Sequence, residues 1–173
     1  MSKQLTVDDL AKMSDERLDE FIFDRLIAKM DDWGNQRQVV DQWSEPERTI
    51  YVINSTVGEV MNGGFNQFFF NSAGREFHDI AAECFRRAGA ETWADIVERA
   101  CQIIDSDQGD RIVARWGNQD EMEEESVLES FSASYKDNPL NELDKEMYAL
   151  DYPAFLAGLI AYKRANLSAF ADG

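Results

Sequence analysis

The sequence predicts an all-α fold: a single-domain helical bundle of roughly seven to nine helices. Three observations carry this expectation. Apolar residues recur at i, i+3, i+4 and i+7 in one stretch after another. Caps, prolines and glycines punctuate those stretches where helices start and stop, and no stretch reads as a strand. The 173 residues, 44% of them hydrophobic and four of them tryptophan, suit one domain with a real core.

Residues 1–14 are polar and read as an arm or short helix, with the domain itself over 15–170. Thr6 can cap a turn from Val7 to Met13, with Asp8 and Asp9 at its positive end. Ser14 caps the first long helix, and Leu18, Phe21, Ile22 and Leu26 form its stripe until Gly34 and Asn35 end or interrupt it. Residues 36–45 are a linker or short helix carrying Val39, Val40 and Trp43. Ser44-Glu45-Pro46-Glu47 is a start signal, followed by Ile50, Ile53, Val57, Val60 and Met61 as an inward face.

That helix runs into Asn62-Gly63-Gly64, which can end it and turn the chain within three residues, because Asn and Gly tolerate positive φ. A hairpin at Asn62-Gly63 fits less well, since the preceding period is helical. Phe65, Phe68, Phe69 and Phe70 follow in a short helix. Four phenylalanines in six residues cannot all face water, so this segment belongs at the centre of the fold. Asn62, Gly63, Gly64, Phe65, Gln67, Phe68, Phe69 and Asn71 therefore read as one architectural motif. No Lys or Arg lies between Arg48 and Arg75, which argues against a phosphate cradle there.

Phe77, Ile80, Ala81, Cys84, Phe85 and Ala88 define the next helix, which Gly89 stops. Trp93, Ile96, Val97, Ala100, Cys101 and Ile104 define another, antiparallel to it. Cys84 and Cys101 fall on apolar positions and read as reduced core thiols. A helix is expected from about Gln119 to Tyr135 with Val127, Leu128, Phe131 and Tyr135 inward. Leu140 to Leu150 is another. Pro153 opens the last, with Phe155, Leu156, Leu159 and Ile160 buried.

Catalytic signatures are missing. One histidine, His78, offers no triad or metal site, and no GxSxG, P-loop or GxGxxG occurs. Asp105-Ser106-Asp107-Gln108-Gly109-Asp110 resembles the start of a Ca²⁺ loop but ends on Trp116 where a glutamate is needed. Neither cofactor nor metal is expected, and the chain is not read as an enzyme. It has no run of 18 apolar residues and no signal-peptide core, so a cytosolic protein is expected.

Charge is the strongest remaining signal. The net charge of −17 argues against direct binding of nucleic acid or of anionic membranes and suits a basic partner. From Asp105 to Asp151 there are fourteen acidic and four basic residues; residues 61–104 carry six and four. Glu121, Glu125 and Glu129 fall at i, i+4 and i+8 with Glu124 beside them, so the carboxylates stand roughly 6 Å apart along one helix face. Phosphates along a DNA strand are spaced on a similar scale, with an axial rise of about 3.4 Å per nucleotide.

The run Glu59-Val60-Met61-Asn62-Gly63-Gly64-Phe65-Asn66-Gln67-Phe68-Phe69-Phe70-Asn71-Ser72 resembles the signature of the bacterial DNA-mimic protein family. Arg87-Ala88-Gly89-Ala90, Asn141-Glu142-Leu143-Asp144 and a Tyr-containing C-terminal helix match in the same order, over roughly Asp15 to Phe170. The resemblance implies a helical homodimer whose carboxylates imitate DNA phosphates and block a transcription factor or nucleoid protein. Under that reading Asp105, Asp107, Asp110, Glu121, Glu123, Glu124, Glu125 and Glu129 form the phosphate-like face. Asp15, Glu16, Asp19 and Glu20 form a second patch. Two other readings stand beside it: a small-ligand protein or enzyme with a pocket near Asn62, Gln67, Asn71 and His78, and a structural homodimer whose acids only keep it soluble.

Overall fold

A computed structural model describes residues 5–117 and 123–172. Its helices, among the described residues, are α1 (Val7–Ala11), α2 (Asp15–Lys29), α3 (Gln36–Val40), α4 (Glu45–Phe70), α5 (Ser72–Arg87), α6 (Glu91–Ile104), α7 (Asp107–Trp116), α8 (Glu124–Ala133), α9 (Leu140–Tyr148), α10 (Tyr152–Ala165) and α11 (Leu167–Phe170). Eight have seven residues or more, in line with the expected seven to nine; α1, α3 and α11 are single turns added to them. No strand occurs among the described residues, and none of their helices is long and apolar enough to cross a membrane.

The longest element, α4, is the centre, packed against α5, α9, α2 and α11. It begins as the capping residues dictate. The Ser44 backbone N–H and hydroxyl both donate to Glu47 Oε2, at 3.0 and 2.6 Å, and Pro46 sits in the first turn. At Gly63 and Gly64 the backbone leaves the helical region (φ −153°, ψ 27° and φ 70°, ψ −177°), so α4 is two helical stretches joined at a kink. Phe65, Phe68 and Phe69 beyond the kink are buried in the main core, as the apolar density requires.

The α5–α6 pair is antiparallel. Arg86 at the end of α5 pairs with Asp95 and Glu98 of α6, while the Cys101 thiol near the end of α6 donates to the His78 carbonyl at 3.1 Å. Cys84 and Cys101 are buried and not joined, and burial pushes their thiols up to about 11 and about 12. The two ends of the chain meet. The Leu5 N–H donates to the Asp172 carboxylate (2.8 Å), the Asp172 N–H donates to the Leu5 carbonyl (2.9 Å), and Leu10 of α1 is buried in the core.

Several local expectations need correction. The first long helix stops at Lys29, not at Gly34, because Met30 takes an extended conformation (ψ 102°) as its C-cap. The helix expected over 119–135 is α8, Glu124–Ala133, with 118–122 outside the described residues. Leu128 is exposed, and Val127, Phe131 and Tyr135 are half-buried, because α8 lies on the surface with no fully buried residue. Met61 and Leu156 are also exposed, not inward. Apolar periodicity marks the side a helix turns toward other apolar groups, and it cannot say whether a neighbour covers that side completely.

Candidate functional site

The motif around the kink is held by polar groups from distant parts of the chain. Gly64 must be glycine: its φ is positive, and a Cβ there would lie 2.4 Å from Asp144 Oδ2. Buried Asp144 approaches that closely because its Oδ1 accepts the Phe65 N–H freed by the kink, at 2.7 Å. Burial raises the Asp144 carboxyl above the usual carboxylate range, and the Phe65 N–H opposes that. The Tyr135 hydroxyl donates to the Gly63 carbonyl (2.6 Å) and the Tyr148 hydroxyl to the Val60 carbonyl (2.7 Å). The groups orphaned by breaking α4 are thus satisfied by α9 and the segment before it.

Gln67 and Asn71 work within the motif. Both amides donate to Glu59 Oε2, at 2.7 and 2.8 Å, and so tie the stretch after the kink to the one before it. Asn66, which sequence reasoning passed over, is fully buried. Its amide donates to the Ser134 hydroxyl, and its carbonyl accepts from Trp116 Nε1 (3.2 Å) and Asn138 (3.0 Å). Its only sequence signal was a polar residue standing inside an aromatic run. Phe70 extends the same link, with its ring 5.8 Å from Trp116 of α7 and 4.5 Å from Phe131 of α8. The aromatic motif therefore carries the two helices on which the acidic residues stand.

The polar residues of the pocket reading do not converge. Asn62, Gln67 and Asn71 line a groove of about 490 Å³ between α2 and α4. His78 lines a different pocket of about 360 Å³, with Arg75, Phe70 and Trp116. Its Nε2 faces Asp105 Oδ1 at 3.7 Å. No group of three or more His, Cys, Asp or Glu side chains is arranged for a metal among the described residues.

The acidic residues divide in two. Asp105 closes α6, Asp107 and Asp110 stand in the first turn of α7, Glu123 precedes α8, Glu124 and Glu125 open it, and Glu129 follows Glu125 by one turn. Glu121 lies outside the described residues. All seven described carboxylates are exposed. Asp107, Asp110, Glu123, Glu124, Glu125 and Glu129 have no Lys or Arg within 4.0 Å among the described residues. For all of these but Glu129, placement at a helix start is locally favourable, because carboxylates complement the positive end of the dipole. α7 packs between α6 and α8, so these residues occupy neighbouring elements.

The α2 patch differs. Asp15 pairs with Arg164 at 2.5 Å, and Asp19 pairs with Lys163, whose side chain is buried. Half of this patch thus clamps α10 to α2, while Glu16 and Glu20 remain exposed without an ion-pair partner among the described residues.

Neither the curated proteins nor the solved structures gave a match to this chain. A protein-family model described as "DMP19-like protein" matches residues 41–166, which run from the end of α3 through α10 and include both the kink motif and the α7–α8 acids. With well over half of its length matched, the chain belongs to the DMP19-like protein family.

Proposed function

We propose that this protein is a DNA mimic that acts by binding and not by catalysis. Its acidic surface docks on a basic DNA-binding protein, a transcription factor or nucleoid protein, and blocks that protein's access to DNA. The observation that carries the reading is the set of six exposed carboxylates on and beside α7 and α8 that lie in no ion pair among the described residues. Several arginines elsewhere are engaged in pairs, Arg86 with three acids and Arg37 with two. Uncompensated like charges repel, and a partner's lysines and arginines relieve that repulsion as they would against phosphates. Membership of the DMP19-like family, a DNA mimic family, supports the same reading. In this reading the protein works in the cytosol as a homodimer, needs no cofactor and touches neither nucleic acid nor membrane itself.

The test is a pull-down of DNA-binding proteins from native lysate with the wild-type bait and with a bait carrying E121Q, E124Q, E125Q and E129Q. A basic protein retained by the wild type, lost from the variant, eluted by salt and displaced by duplex DNA is the expected result. Equal recovery on both baits would reduce the acidic face to solubility.

A further inference from the structure

Arg75 stays without an ionic partner in a chain that carries 34 acidic residues to 17 basic ones. The acid best placed for it is Asp79, one turn further along α5, because opposite charges at i and i+4 meet on a helix face. Arg37 takes that acid, donating from Nη1 to Asp79 Oδ1 at 2.6 Å. The Arg37 backbone N–H also holds the Glu76 carboxylate, next in sequence to Arg75, at 2.5 Å. Arg75 therefore lies in no ion pair among the described residues, and it is exposed at the edge of a cavity.

That cavity, of about 360 Å³, lies between the end of α4, the start of α5, the end of α6 and α7. Its size is at the small end of the roughly 300–1,000 Å³ that small-molecule pockets occupy. Most of its wall is apolar: Phe69, Phe70, Ile104, Val113 and Trp116. Trp116 Nε1 is committed to buried Asn66 at 3.2 Å, so the indole offers the cavity carbon alone. Phe70 stands edge-on to that ring, with centroids 5.8 Å apart. Gly74 lets α5 come this close to α4, since a Cβ there would stand 2.1 Å from the Phe68 carbonyl oxygen. Asp105 also lines the cavity, but its Oδ1 already faces His78 Nε2 at 3.7 Å, whereas the Arg75 guanidinium faces no carboxylate within 4.0 Å among the described residues. An aromatic wall beside one unanswered guanidinium complements a ligand with a flat apolar body and a single carboxylate.

We infer that the cavity between α4, α5 and α7 binds a small aromatic monocarboxylate, with its ring against Phe70, Val113 and Trp116 and its carboxylate on the Arg75 guanidinium. This site is independent of the DNA-mimic reading, because it requires neither the acids of α8 nor a protein partner.

The probes are 2-naphthylacetate, the matching neutral amide and 2-(2-naphthyl)ethylamine, titrated against the full chain by ligand-detected NMR. Wild-type protein should bind the acid about fivefold tighter than the amide, the upper end of what a solvent-exposed ion pair contributes. Arg75→Gln, a change at an exposed position, should remove that preference and leave the amide's affinity as it was, and Arg75→Lys should restore part of it. Arg17→Gln takes the same charge from exposed α2 surface and should leave the preference intact. Val113→Trp, at a side chain 46% exposed, narrows the cavity and should weaken acid and amide together. Equal binding of acid and amide by the wild type, or an acid preference that survives Arg75→Gln, would overturn the carboxylate site. So would binding of none of the three probes. Tighter binding of the amine than of the acid, lost in Asp105→Asn, would assign the cavity to a cation and overturn the inference as well.

Discussion

Gly64→Ala tests the account of the kink most directly. Gly64 has φ 70° and ψ −177°, a region that only glycine occupies freely, so alanine is strained by about 1–3 kcal/mol. The new methyl group would also lie between 2.4 and 2.8 Å from three atoms of the Asp144 carboxylate. That carboxylate is buried and anchored by the Phe65 N–H, so it cannot swing aside, and overpacking of this kind adds about 1–3 kcal/mol. The total is about 2–6 kcal/mol, or a fall in Tm of about 10 °C for a chain of this size. Thermal and urea unfolding followed by far-ultraviolet circular dichroism would measure it. Gly58→Ala is the control, and it should raise stability by about 0.5–1 kcal/mol in the same helix. Asp144→Ala should cost about 1–3 kcal/mol by leaving the buried Phe65 N–H unpaired. In the double variant the overlap is gone while the backbone strain remains, so it should cost less than the sum of the singles by about 1–3 kcal/mol. A Gly64→Ala protein within about 1 kcal/mol of wild type would refute the account, because that loss is typical of an arbitrary substitution. Strict additivity in the cycle would refute the overlap.

Two further outcomes follow from single residues. Asp144 is held above the usual carboxylate range by burial, so the folded state binds its proton more tightly than the unfolded state does. Its contribution is full below the unfolded value of about 3.9 and is lost as pH rises through the folded value. The stability of wild type relative to Asp144→Asn should therefore fall as pH is raised from about 4, and a difference independent of pH in urea titrations would contradict this. Asp19→Asn removes the carboxylate that pairs with buried Lys163 and should cost about 1–3 kcal/mol. Glu20→Gln on the same helix should stay within about 0.5 kcal/mol, and equal losses from the two would return Asp19 to the free surface charges.

Much of the fold was legible along the chain because its causes are local. Ser44 and Glu47 cap α4, Gly89 at φ 76° ends the α5 turn, and the apolar spacing of Phe77–Ala88 and Trp93–Ile104 lays two helices side by side. The break at Gly63-Gly64 was visible for the same reason, since it depends on the absence of Cβ atoms. Exposure of the acids on α7 and α8 followed from their charge, because a carboxylate without a partner is costly to bury.

Other features depend on which residues meet across the fold. Asp144 sits 79 positions from the N–H it satisfies, and Asn66 takes its partners from three later elements. No local pattern records such pairings, since each arises only when α4, α7 and α9 close on one another. Met61 and Leu156 follow helical apolar spacing as well as Val60 and Phe155 do, yet tertiary packing leaves them exposed around Gly58 and covers the others. The acidic residues were equally alike in sequence. The fold gave Asp15 and Asp19 to Arg164 and Lys163 and left those of α7 and α8 without an ion pair among the described residues. Helical period and charge were properties of the residues themselves; partnership and coverage were set by the three-dimensional arrangement of helices, because both need a second surface at contact distance.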